Sequence, residues 1–215
     1  MILKDYWLHG FTVFMGFFAM LNPIGNLPVF IGMVADFDRK TQRKVALRSV
    51  IVAFIIITVF CIFGHLIFRM FGITLPAFQI AGGLIVFVMG YNLLNAKDST
   101  MHSQAPMARK DLEKLAEDMA ITPLGTPLLA GPGTISAAMN FVGAEKSILN
   151  VFVVITMFAV MCLITYLLFL SSHKLAARVN PGILKAVTRV MGLILCVIAI
   201  QMLINGIEGT IHLFK

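Results

Sequence analysis

The chain has 215 residues, 59% of them hydrophobic and only 13% charged, with a formal net charge of +7. Soluble domains carry about 25% charged residues, so a soluble fold is excluded and the sequence is that of an integral membrane protein. The basic excess falls in short segments between apolar runs, where it signals topology; no nucleic-acid-binding motif accompanies it.

The first apolar run is much longer than the roughly 7–15 residues of a signal-peptide core and no small-x-small site follows it, so it reads as a membrane helix. Six spans are predicted in all, at 7–34, 46–69, 74–95, 120–142, 148–171 and 184–207. Each can cross about 30 Å of hydrocarbon at about 1.5 Å per residue. Span 1 is overlong, as a broken or tilted segment would be. Cys61, Cys162 and Cys196 lie inside spans, are odd in number and match no metal spacing, so they read as small apolar packing residues. Residues 96–119 form the one extended polar segment: a linker over Lys97 to Pro106, then a short amphipathic helix over Arg109 to Met119 with Leu112, Leu115, Ala116 and Met119 at helical spacing.

Thirteen basic residues lie at one set of span ends: Arg39, Lys40, Arg43, Lys44, Arg48, Lys97, Arg109, Lys110, Lys114, Lys174, Arg178, Lys185 and Arg189. Only Lys4, Arg69, Lys146 and Lys215 lie at the other. The bias puts the three longer loops in the cytoplasm and both termini outside. The linker separates three spans (1–95) from three more (120–215). Three is odd, so the two halves run through the membrane in opposite directions, the condition for an inverted repeat. Two internal matches support it. Gln79-Ile80-Ala81-Gly82 of span 3 resembles Arg189-Val190-Met191-Gly192 of span 6 at an offset of 110, and Pro23 aligns with Pro132 at an offset of 109. Pro23-Ile24-Gly25 also resembles Pro123-Leu124-Gly125 at an offset of 100, but the offset of 109 agrees better with the other pair of spans. The predicted fold is an all-α polytopic membrane protein of six transmembrane helices in two inverted three-helix repeats, with spans 1 and 4 broken near mid-membrane.

Those breaks are the most informative feature of the chain. Span 1 contains Asn22-Pro23-Ile24-Gly25-Asn26-Leu27-Pro28, and span 4 contains Gly131-Pro132-Gly133-Thr134-Ile135-Ser136. Proline removes an N–H and stops or kinks a helix, and glycine permits shapes other residues resist. Backbone freed in this way survives at membrane depth only inside protein or beside a water-filled cavity. Paired interruptions in two halves mark a transporter binding site. A restarting helix offers unpaired N–H groups and a partial positive charge, which suit a carboxylate. Thr134 is the expected N-cap after the second break and Asn26 after the first. The candidate substrate-binding residues are therefore Asn22, Pro23, Gly25, Asn26, Gly131, Pro132, Gly133, Thr134 and Ser136. A small zwitterion fits such a site, with N–H groups on its carboxylate and carbonyl, amide or hydroxyl oxygens on its ammonium.

Other polar residues are secondary candidates: Gln79, Asn92, Asn95, Asn140, Gln201 and Asn205 are expected to face the bundle interior as interhelical hydrogen-bonding groups. Gly82, Gly83, Gly90 and Gly192 are expected to permit close helix packing. No Asp or Glu falls deep within a span, Glu208 lying just past the last one, which argues against a carboxylate proton relay. No zinc-protease, nucleophile-elbow or P-loop motif is present, so neither an enzyme nor an ATP-driven pump is expected, and no cofactor or metal.

The chain resembles the MarC family of bacterial and archaeal inner-membrane proteins, which includes the SnatA-type small neutral amino acid transporters. The resemblance rests on Leu21 to Phe30, on Gln79-Ile80-Ala81-Gly82-Gly83, on Thr122-Pro123-Leu124 through Ser136, and on Thr188 to Leu193. It departs at Gln79, where the family often has arginine. The resemblance implies a plasma-membrane protein related in architecture to LysE-type exporters, with glycine- or alanine-like substrates for the SnatA branch. The expectation is a secondary transporter of small neutral amino acids in the inner membrane, working by alternating access. Its coupling ion and direction are open, and a homo-oligomer is compatible with its size. The rival readings are a passive channel for a small solute and a non-transporting scaffold.

Overall fold

A computed structural model describes residues 2–34, 37–95, 120–143, 147–176 and 181–213. The linker and amphipathic helix expected at 96–119 lie outside the described residues. Helix α1 covers Ile2–Leu21 and α2 covers Pro23–Val34, with Asn22 between them. Helix α3 (Arg39–Phe71) starts at the cap Asp38, whose carboxylate accepts from the Lys40 N–H, and stops at Gly72, whose φ of 63° is the left-handed C-cap that glycine adopts freely. Helix α4 (Leu75–Leu94) starts at Thr74, whose hydroxyl accepts from the Ala77 N–H at 3.3 Å.

The second half opens differently. Ala120–Leu129 forms a π-helix, π1, followed by α5 (Pro132–Val142), α6 (Ile148–Ala176) and α7 (Pro181–Leu213). The Ala130 N–H bonds the carbonyl of Gly125, five residues back, at 3.0 Å. Pro123 and Pro127 remove two N–H donors from this stretch, and the wider turn is one way a helix accommodates such losses.

Five helical stretches are long and apolar enough to cross a membrane: Leu8–Val34, Arg39–Phe71, Leu75–Asn92, Ile148–Ser172 and Gly192–Ile211. The expected span at 120–142 is not a sixth continuous helix, because Ala130 and Gly131 divide it into π1 and α5, each too short to cross alone. Helices α3 and α7 run beyond their expected ends, so that Glu208, expected outside the last span, lies inside α7 and near the end of its apolar stretch.

The helices are apolar on all sides, as membrane helices are. On α3, Ile51, Ile55, Val59 and Ile62 form the exposed face while Val50, Ala53, Ile57 and Cys61 are buried. The main core is largely aliphatic and joins α1, α2, α3, π1, α5 and α6, with an aromatic cluster where α1 and α2 meet α6. Phe30 stacks on Phe169 with centroids 4.1 Å apart, and Phe17 meets the edge of Phe158 at 4.9 Å. Helices α1 and α2 pack on α6, π1 and α5 pack on α3, α3 packs on α6, and α5 also touches α1, α4 and α6. The most extensive pairing is α4 with α7. Glycines set its closeness: a methyl on Gly90 would stand 2.8 Å from the Gly192 carbonyl oxygen, and one on Gly83 would stand 2.9 Å from that of Ala199. The three cysteines are free and buried, and the Cys196 thiol points at the Phe87 carbonyl across this seam at 3.8 Å.

Candidate functional site

The two breaks are built from the same parts and finished differently. Asn22 sits at φ 41°, a left-handed backbone that asparagine tolerates better than most residues. Its side-chain oxygen accepts from the Gly25 N–H at 3.2 Å, and Pro23 takes the first helical position, where a missing N–H matters least. Asn22 is thus the cap of α2, and Asn26 is not. The Asn26 side chain is 3% exposed and turns back to donate to the Leu21 carbonyl at 2.6 Å. Two of the groups freed by the first break, the Gly25 N–H and the Leu21 carbonyl, are satisfied by side chains of the break itself.

The second break is left open. Gly131, at φ −74° and ψ 171°, is the cap of α5, and having no side chain it makes no side-chain capping bond. Pro132 again takes the first helical position. Thr134 is therefore not the cap: it lies in the first turn, 3% exposed, and makes no side-chain hydrogen bond among the described residues. The Gly133 and Thr134 N–H groups belong to the unpaired first turn and carry the positive end of the helix dipole. Ser136 is 4% exposed and its hydroxyl has no partner among the described residues. The buried hydroxyls of Ser49 and Thr165, by contrast, bond back to Val45 and Met161 on their own helices, each at 2.8 Å.

A partly open cavity of about 30 Å³ lies at this end of α5, and Met20 on its wall is exposed. Gly131, Gly133 and Thr134 supply its polar wall, and Met20 of α1, Met89 of α4 and Met202 of α7 supply much of the apolar one. That volume holds about two water molecules. No lining residue carries a formal charge. Close approach is again made possible by glycine. The Pro132 ring occupies the place a methyl on Gly82 would take, so the start of α5 lies directly on α4. The Met202 Sδ lies 3.3 Å, and the Met20 Sδ 3.7 Å, from where a methyl on Gly133 would stand.

The structure thus brings Gly131, Gly133 and Thr134 together on one cavity, with Pro132 wedged beside it and Ser136 buried further along the helix. Asn22, Pro23, Gly25 and Asn26 do not line it; the first break reaches it through Met20, two residues upstream. Several secondary candidates lie elsewhere. Asn92, Asn95, Asn140, Gln201 and Asn205 are exposed, and Gln79 is half-buried. The Gln201 side-chain N–H donates to the Asn205 side-chain oxygen along α7 at 2.8 Å instead of bridging helices, as their one-turn spacing allows. The methionines were not legible as site residues. The chain has 14 of them, and nothing in their spacing separates those facing a cavity from those facing lipid. Among the described residues no three His, Cys, Asp or Glu side chains gather as a metal would require.

The sequence profile of the MarC family integral membrane proteins matches residues 7–211. The chain belongs to the MarC family. Its relatives include the UPF0056 membrane protein YvbG of Bacillus subtilis (strain 168), 36% identical over 92% of this chain and 93% of that protein. The UPF0056 membrane protein MJ1677 of Methanocaldococcus jannaschii is 38% identical over 92% of this chain and 95% of its own length. The UPF0056 membrane protein YhcE of Escherichia coli (strain K12) is 31% identical over 93% and 92%. These names describe MarC-family membrane proteins and specify no substrate. No solved structure matches the chain.

Proposed function

We propose that this MarC-family protein is a secondary transporter of small neutral amino acids, glycine- or alanine-like, in the plasma membrane. The observation that carries the reading is the start of α5, which has no side-chain cap and whose Gly131, Gly133 and Thr134 line a cavity. Backbone donors at a helix N-terminus suit a carboxylate, and carbonyl oxygens at the end of π1, whose Leu128 lines the same cavity, suit an ammonium. The uncharged lining favours a net-neutral substrate. It also favours exchange, or coupling to sodium held by carbonyl and hydroxyl oxygens, over a carboxylate proton relay.

Alternating access follows if residues 1–95 and 120–215 are inverted three-span halves, π1 and α5 together making the fourth of six spans, with both termini outside. Internal symmetry supports this. Phe87 and Cys196, which meet across the α4–α7 seam, are 109 residues apart. Moving each residue number by that interval turns the contact Gly83–Ala199 into Gly192–Gly90, which is also a contact. It turns the helix starts Asn22-Pro23 into Gly131-Pro132. The packing of π1 and α5 on α3 becomes that of α1 and α2 on α6, and α4 on α5 becomes α7 on α2. The departures from symmetry involve α5, whose contacts with α1 and α6 have no counterpart of similar extent. A closed first break and an open second one suit one end of a cycle whose other end exchanges the two conformations.

The test is uptake of labelled alanine and glycine into proteoliposomes, with and without sodium and pH gradients. Saturable uptake, competed by unlabelled neutral amino acids and lost in Gly133→Val, is the expected result. Non-saturating flux would favour a channel, and no flux from folded protein a scaffold.

A further inference from the structure

The methionine wall of the cavity is not used by the binding chemistry above, and its geometry is specific. Met202 is 6% exposed and lies between two glycines on different helices. Its Cε is 3.4 Å from where a methyl on Gly82 of α4 would stand, and its Sδ is 3.3 Å from where one on Gly133 of α5 would stand. The room left by Gly82 is filled by the Pro132 ring, with the Met202 methyl packed beside it, while at Gly133 the thioether itself is the nearest atom to the missing side chain. Met20 approaches the same Gly133 position from α1. A carboxylate held by the first turn of α5 would place its own α-carbon and side chain against this wall. The cavity of about 30 Å³ has room for a methyl-sized group, and a larger side chain enters only if the wall retracts. Leu195 and Ile198 of α7, which also line it, are branched and have less rotamer freedom than methionine. Methionine is unbranched, with several freely rotating bonds, and moves at low cost.

We infer that Met202 is the movable wall that sets how large a substrate side chain the site accepts. The inference rests on the transport reading above. A shortened side chain at 202 enlarges the space facing the α5 N-terminus without touching its donors. A methyl added at 133 pushes into the same space from the opposite side.

The experiment compares uptake of glycine, alanine, valine and leucine by wild-type protein, Met202→Ala and Gly133→Ala in proteoliposomes, with size-exclusion profiles confirming that each variant is folded. A single methylene in an apolar pocket discriminates by about 10–200-fold. Met202→Ala should therefore raise valine and leucine uptake relative to alanine by about tenfold or more. Gly133→Ala should shift preference from alanine toward glycine by about tenfold. Two variants acting in opposite directions keep the test decisive if one does not fold. An unchanged preference in either folded variant overturns the role of Met202 and leaves the transport reading standing. A wild-type protein that takes up none of the four overturns the transport reading and this inference with it.

Discussion

Asn26 shows how one side chain can decide whether a broken membrane helix is closed or open. Its amide donates to the buried carbonyl of Leu21 at 2.6 Å, a group lipid cannot satisfy. Asn26→Leu keeps the branching at Cγ, adds some bulk and removes the donor, leaving that carbonyl unpaired. The expected loss is about 1–3 kcal/mol, read as a fall of several degrees in thermal unfolding midpoint in detergent; an unchanged midpoint would mean that the bond contributes nothing. Under the proposed inverted repeat the position that corresponds to it is Ile135, which has no amide to offer. The difference between a closed and an open break thus traces partly to residue identity.

At the scale of elements, the α4–α7 seam depends on missing side chains. A Cβ on Gly90 would lie 2.8 Å from the Gly192 carbonyl oxygen and 2.9 Å from the Cys196 amide nitrogen, both backbone atoms that can yield only if the helices separate. Gly90→Val should destabilise the protein by about 1–3 kcal/mol through overpacking. Gly32 on α2 is the control, since nothing lies within 4 Å of a Cβ there. Gly32→Ala should raise stability by about 0.5–1 kcal/mol, because alanine is the better helix former. Thermal unfolding of both variants checks the pair, and equal shifts would show that the seam tolerates bulk.

For the whole molecule, the distribution of lysine and arginine predicts which ends face the cytoplasm. In a background lacking Cys61, Cys162 and Cys196, Ile73→Cys and Ser147→Cys should react with a membrane-impermeant maleimide added to intact cells. Asp38→Cys and Asn95→Cys should react only after permeabilisation. The reverse pattern would invert the proposed topology and leave the helix packing untouched.

Membrane residence, the helical class and the positions of both breaks were determined by the sequence itself, because hydrocarbon thickness fixes span length and proline cannot continue a helix ladder. The packing role of Gly82, Gly83 and Gly90 was legible for a similar reason: glycine in an apolar helix admits a close neighbour. Which side of each helix faces inward was not legible. In lipid both faces of a helix are apolar, so the period that reveals a core in water is missing, and Gln201 and Asn205 lie on an exposed face of α7. The caps also depended on the fold, since Asn22 and Gly131 each take their role from a backbone geometry that composition does not fix. Only the tertiary structure set Met20, Met89 and Met202 around the start of α5, because that cavity exists where four separate segments converge and no one of them carries its signal.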